Sequence, residues 1–93
     1  NLATAPVFAK YGYPQIAVSS ITDKGPELTK RYPTLFLTLG NTTAFANSVA
    51  DILERLVREG KIGKKVAMVN VADAFGIELA EAARPIFKKH GLE

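Results

Sequence analysis

The residues best suited to bind a ligand lie in a short polar loop that follows an apolar run. Ser19, Ser20 and Thr22 place three hydroxyl groups directly after residues 15–18, and Ile21 between them offers a backbone N–H. Ligands of parallel α/β sheets bind beyond the carboxyl ends of the strands. The spacing therefore predicts a binding loop, although such side chains also serve to satisfy the backbone of an ordinary connecting loop.

A second set of candidates follows the apolar run at residues 66–71, which has no polar side chain before Asn70. Asn70 ends this run, and we expect its amide to face a ligand. Phe75 could offer a ring face to an apolar or aromatic part of that ligand, or it could be the first core residue of the next helix. Asp73 is expected to cap that helix and not to bind ligand.

No residue pattern indicates catalysis or a metal centre. The chain has no cysteine, which excludes thiolate chemistry, disulfides and cysteine-bound zinc. Its one histidine, His90, has no acidic or thiol neighbour in the sequence and is interpreted as a surface cap at a helix end. The sequence "GKIGKK" lacks the spacing of a phosphate-binding loop. We expect no catalytic residue, no metal, no cofactor and no enzyme activity.

Composition and charge narrow the class of protein further. The chain is 47% hydrophobic and 23% charged, which is typical of a soluble globular domain. Its net charge of +3 is too mild to indicate binding to nucleic acid. The longest apolar run is far short of the ~20 residues that span a bilayer.

Helical and strand patterns alternate along the chain, and this predicts a parallel, doubly wound α/β sheet with helices on both faces. The longest helix is expected to bury Phe45, Val49, Ile52, Leu53, Leu56 and Val57, and the last one Phe75, Leu79, Ala82, Ala83 and Ile86. Pro85 should bend or break the last helix. Helices are predicted at residues 2–11, 43–59 and 75–89, strands at 15–18, 35–39 and 66–71, and one helical turn at 27–31.

A sheet of two or three parallel strands with open edges does not stand alone. The sequence also begins within a helical pattern and ends at a turn that should lead into another strand. We therefore expect either a fragment of a larger protein or a chain that completes its sheet by self-association or with the rest of its protein.

The sequence resembles a known family across nearly its whole length. "YGYPQIAVSSITDKGPELTKRYPTLFLTLGN" and "KKVAMVNVADAFG" are similar to the type I periplasmic substrate-binding proteins of ABC importers, of the branched-chain amino-acid kind. This resemblance implies two Rossmann-like lobes, with residues 1–38 as the end of the first lobe, 39–41 as a hinge crossing and 42–93 as the start of the second. Gly40 and Asn41 would be hinge residues.

The resemblance also implies a function and a place in the cell. Ser19, Ser20, Thr22 and the N–H of Ile21 would hold the carboxylate of an amino acid or a related aromatic or aliphatic solute, with Asn70 and Phe75 on the second lobe. The protein would work in the periplasm or outside the cell, soluble or lipid-anchored, and deliver its solute to a membrane permease. Two alternatives remain open: a ligand-sensing regulatory protein of the same fold, and half of a Rossmann-like or flavodoxin-like enzyme whose hydroxyl loop grips a phosphate.

Overall fold

The computed structural model describes residues 3–93 and divides the chain, between Asn41 and Thr42, into two compact units. The described residues form a mixed α/β structure with four helices and a two-stranded parallel sheet. No helix in this part of the chain combines the length and the apolar character needed to cross a membrane. The first unit contains α1 (Ala5–Tyr11), β1 (Gln15–Ala17), α2 (Gly25–Arg31) and β2 (Leu35–Leu37), and the second contains α3 (Thr42–Arg58) and α4 (Ala74–Lys89).

The first unit is a small β-α-β arrangement. Strands β1 and β2 pair in parallel, with Gln15 opposite Leu35 and Ala17 opposite Leu37. Its core contains Ala5, Ala17 and Leu35, with Leu28, Tyr32 and Leu37 packed against them. Successive side chains of a strand point to opposite faces, so the two expected strands are confirmed but only one face of each is buried.

Helix ends in the first unit follow local sequence signals. Gly12 adopts a left-handed φ of 69° and ends α1, as predicted from its position. The predicted first helix included Leu2, which lies outside the described residues. Pro26 stands in the first turn of α2, where a missing N–H costs little. Helix α2 has 7 residues and is longer than the single turn expected at 27–31.

The two helices of the second unit pack together and run in the same direction. Thr42 at the start of α3 donates a hydrogen bond to Glu78 early in α4, and Glu54 late in α3 contacts His90 at the end of α4. Both contacts join residues 36 positions apart. The contacts therefore advance from start to end along both helices together, which makes the two helices parallel. The connection between them must therefore run back along α3, whose 17 residues span about 25 Å.

Small residues form the fully buried faces of these helices. Of the two expected stripes only Ala83 is buried, and several of the larger members are partly buried. The side chains of Phe45 and Ile52 in α3 are 48% and 50% exposed, and Phe75 in α4 is 47% exposed. Helices approach most closely where side chains are small, so bulky neighbours are left at the margins of the contact. The buried positions are Thr42, Ala46 and Ala50 on α3 and Gly76, Ala80 and Ala83 on α4.

Residues 66–71, all of which the structure describes, form no strand, so the prediction of a third strand buried on both faces is wrong. Val69 is 98% exposed and Val71 is 71% exposed. The segment begins like a strand, because Glu93 donates its N–H to the Lys64 carbonyl (2.8 Å) and accepts from the Val66 N–H (2.7 Å). That exchange around Lys65 is the pattern of parallel pairing. Past Val66, no described segment continues the pairing.

The last helix passes through Pro85 and continues to Lys89, so the predicted alternative of a break does not occur. A proline at this position removes one helical hydrogen bond but leaves the rest of the ladder intact. Gly60 and Gly91 take left-handed φ values of 71° and 74° just past α3 and α4. Both helices therefore end within one residue of their predicted ends, 59 and 89, just before a glycine that stops the helix.

Candidate functional site

The hydroxyl loop lies where the sequence predicted, directly after the carboxyl end of β1. Ser19 is exposed, whereas Ser20, Ile21 and Thr22 are partly buried. The Thr22 hydroxyl oxygen accepts a hydrogen bond from the backbone N–H of Lys24 at 3.1 Å. Thr22 therefore supports the loop itself, as the ordinary interpretation of such residues expects.

A further hydroxyl stands at the same edge of the sheet. Thr38 follows β2, and both its backbone N–H and its Oγ1 donate to the Ala17 carbonyl, at 3.4 and 3.3 Å. The sequence analysis did not select this residue. Its position directly after an apolar run was the signal that could have found it. Thr38 closes the end of the sheet beside the loop.

The candidates of the second unit lie around the start of α4. Asp73 caps this helix as predicted, because its carboxylate accepts the N–H of Gly76 at 2.7 Å. Phe75 is about half exposed, which contradicts the alternative that it is a buried core residue. The side-chain amide of Asn70 donates to the Val71 carbonyl at 3.3 Å and is exposed.

Gly76 allows the backbone of the preceding segment to approach the first turn of α4. A Cβ atom built at Gly76 would lie 1.9 Å from the Val71 carbonyl oxygen and 2.9 Å from its carbon. No side chain fits in that space, so the local geometry requires glycine here. The hydrogen bond from Gly76 to Asp73 then fixes the turn that presents Phe75.

The predicted site residues thus form two groups, each within its own unit. Ser19, Ser20, Ile21 and Thr22 belong to the first unit, and Asn70 and Phe75 to the second. The proposed hinge residues Gly40 and Asn41 are the last two of the first unit. A methyl group at Gly40 would meet nothing within 4 Å, and its φ is not left-handed, so no steric requirement for glycine exists at this position.

A cluster that the sequence analysis missed joins α3 to the end of α4. Nδ1 of His90 lies 2.5 Å from a carboxylate oxygen of Glu54 and 3.7 Å from one of Asp51. The His90 side chain is only 16% exposed, compared with 42% for Glu54 and 69% for Asp51. The interpretation of His90 as an isolated surface residue is therefore wrong, although it does occupy the C-cap position of α4.

Charge within this cluster is partly balanced. Arg58, one turn after Glu54 on α3, places its guanidinium 3.6 Å from the other carboxylate oxygen of Glu54. Asp51 and Glu54 are three residues apart, so they lie on one face of the helix. That spacing was visible in the sequence, but the histidine that meets them is 36 residues away from Glu54. Only the parallel packing of the two helices brings the three side chains together.

No protein-family model, curated protein or solved structure matches this chain. Its function has to be inferred from the geometry of these sites and from the resemblance of its sequence motifs.

Proposed function

We propose that this chain is part of the extracytoplasmic solute-binding component of an ABC transporter. That protein binds an amino acid or a related small carboxylate between two lobes and performs no chemistry on it. The observation that carries the proposal is the position of the Ser19–Ser20 hydroxyls directly after the carboxyl end of a parallel strand. This is the edge at which parallel α/β sheets bind their ligands.

The local architecture supports the larger fold that this function requires. The first unit contains a parallel β-α-β element, and in the second unit Lys65 and Glu93 pair in parallel on either side of α4. Parallel neighbours require crossover connections, as in Rossmann-like sheets. We accordingly propose that residues 1–38 end one lobe, 39–41 cross a hinge, and 42–93 begin a second lobe of a longer protein.

A carboxylate suits the hydroxyl loop for physical reasons. Ser19 and Ser20 can donate O–H groups and Ile21 its backbone N–H, which stabilise an anion without a full countercharge. The half-exposed ring of Phe75 and the amide of Asn70 are the proposed contacts to the remainder of the solute.

The proposed role places the protein in the periplasm or outside the cell, with a membrane permease as its partner. Closure of two lobes on a solute is a population shift, because contacts to both lobes favour the closed state. A regulatory protein with the same fold would bind the same class of solute. Measuring solute uptake distinguishes the two functions. Uptake that requires both this protein and the permease indicates transport, whereas a regulatory protein would not be needed for uptake by the permease.

The test is calorimetric titration of the full-length protein with a panel of amino acids, aromatic carboxylates, nucleotides and flavin. We expect saturable binding of one carboxylate class. Ser20→Ala should weaken it by about tenfold, the equivalent of ~1.4 kcal/mol for a lost hydrogen bond to a charged group. Ser48→Ala, which removes a hydroxyl bonded to the Ala44 carbonyl on α3, is the matched control and should have no effect. Binding of a nucleotide or flavin instead of a carboxylate would overturn the receptor proposal in favour of an enzyme half.

A further inference from the structure

We propose that Asp51, Glu54 and His90 form a binding site for a divalent transition-metal ion, with Zn²⁺ as its representative. The site lies within the second unit and does not depend on the proposed solute-binding function. Each of the three residues offers one ligand atom, and these atoms all lie within 4.8 Å of one another. Two come from α3 and the third from the C-cap of α4.

The distances are close to those that a metal ion requires. Tetrahedral zinc with bonds of about 2.0–2.1 Å separates its ligand atoms by roughly 3.3 Å. Nδ1 of His90 is 3.7 Å from the Asp51 oxygen, so this pair needs to close only slightly. The same nitrogen is 2.5 Å from the Glu54 oxygen, a hydrogen-bonded contact that must widen by less than about 1 Å to admit the ion.

The donor set selects the kind of ion. One imidazole nitrogen and two carboxylate oxygens match zinc and its neighbours in the first transition row, whereas Mg²⁺ and Ca²⁺ prefer oxygen ligands alone. Two carboxylates also supply the negative charge that balances a divalent cation. Asp51 is 69% exposed, so the outer side of the site is open to a water molecule in the fourth position.

The environment of His90 favours metal binding, whereas one neighbouring side chain, that of Arg58, opposes it. The imidazole is already oriented and mostly shielded from solvent, which reduces the ordering that binding requires. The guanidinium of Arg58 contacts Glu54 and competes with the ion for its charge. Zn²⁺ must also replace the hydrogen-bonded contact between His90 and Glu54, because both atoms of that contact are proposed ligands.

A metal at this position would clamp the far ends of the two parallel helices. The near ends are already joined by the hydrogen bond from Thr42 to Glu78, 3.0 Å long. An ion that binds only the folded arrangement stabilises it by mass action. We therefore expect the free energy of unfolding of the second unit to rise with zinc concentration.

The experiment is a titration of the chain with ZnCl₂, followed by calorimetry and by NMR of the histidine ring. Because His90 is the one histidine in the sequence, its ring signals are assigned without ambiguity. We expect one ion per chain, a large shift of the His90 ring resonances at saturation, and a higher unfolding temperature. MgCl₂ at the same concentration should produce none of these changes. Saturation without a shift of the histidine signals would overturn the proposal.

Variants separate a built site from adventitious binding. Asp51→Asn removes one ligand at an exposed position and should weaken zinc binding by at least about tenfold, as loss of a supporting group does in known metal sites. His90→Gln should abolish the site. Glu81→Gln removes an exposed carboxylate of α4 outside the cluster and is the matched control, with unchanged affinity expected.

Arg58→Gln should tighten zinc binding, because it removes the competing cation and leaves all three ligands in place. This variant keeps the test informative if His90→Gln unfolds the second unit. Equal zinc affinity in Asp51→Asn and the parent chain, or an equal loss in Glu81→Gln, would show that the cluster is an ion-pair network and not a metal site.

Discussion

Of two apolar runs in this chain, one forms a paired strand and the other does not. Residues 35–37 form strand β2, pair with β1 and bury Leu35 to 4% exposure. Residues 66–71 are longer and apolar except for Asn70, yet they form no strand and leave Val69 at 98% exposure. The difference is the neighbour: β2 has β1 beside it, while among the described residues only Glu93 pairs with the backbone of the longer run, at its first residues.

Strand formation is therefore a property of pairs and not of single segments. A run of β-branched residues provides a surface that packs well in a sheet, but its backbone groups need partners on an adjacent strand. The parallel exchange of hydrogen bonds around Lys65 shows that the segment begins to pair where a partner exists. The contrast explains why the predicted strand at residues 66–71 does not form along its length in this chain.

The largest effect should come from truncating the buried apolar run. Leu35→Ala removes a side chain from the core of the first unit and should lower the free energy of unfolding by about 2–5 kcal/mol. Val69→Ala makes a smaller truncation on the exposed run and should change it by less than about 0.5 kcal/mol. Urea unfolding of the two variants measures both. Comparable losses would mean that Val69 is buried in solution and that the contrast between the runs is false.

A smaller loss is expected at the point where the exposed run meets α4. Gly76→Ala forces a methyl group against the Val71 carbonyl and should cost about 1–3 kcal/mol as the backbone shifts. Gly63→Ala places the same methyl group in open space at a position without a left-handed φ. That control should be neutral or stabilising by up to about 1 kcal/mol. A neutral Gly76→Ala would show that the segment does not approach the helix.

A third and smaller effect concerns the helix cap that presents Phe75. Asp73→Ala removes the acceptor for the Gly76 N–H and should destabilise the second unit by about 1 kcal/mol. Asp73→Asn keeps a side-chain oxygen at this position and should cost much less. Thermal unfolding followed by circular dichroism distinguishes the two, and equal losses would indicate that the charge of Asp73 matters and not the cap.

Local signals explain what could be predicted from the sequence. Gly12, Gly60 and Gly91 end their helices, and Asp73 caps α4, because each depends on residues a few positions away. The hydroxyl loop was predicted for the same reason, since it follows an apolar run directly. These features do not depend on residues that are distant in the sequence.

Features that depend on distant partners could not be predicted in the same way. The small-residue contact between α3 and α4 follows from how two helices approach, and periodicity alone favoured their larger apolar residues. His90 meets Glu54 across 36 residues because the helices run in parallel. The strand at 66–71 was predicted from its own composition, and its pairing required a neighbour that composition does not reveal.

Amide hydrogen exchange of residues 67–70, measured beside that of the paired strands β1 and β2, tests the central claim most directly. In the chain alone we expect these amides to exchange almost without protection, whereas the amides of β1 and β2 and that of Val66 are slower. Protection of residues 67–70 as strong as that of β1 and β2 would contradict the account, because the run would then be paired along its length without the neighbouring strand that pairing is argued to need.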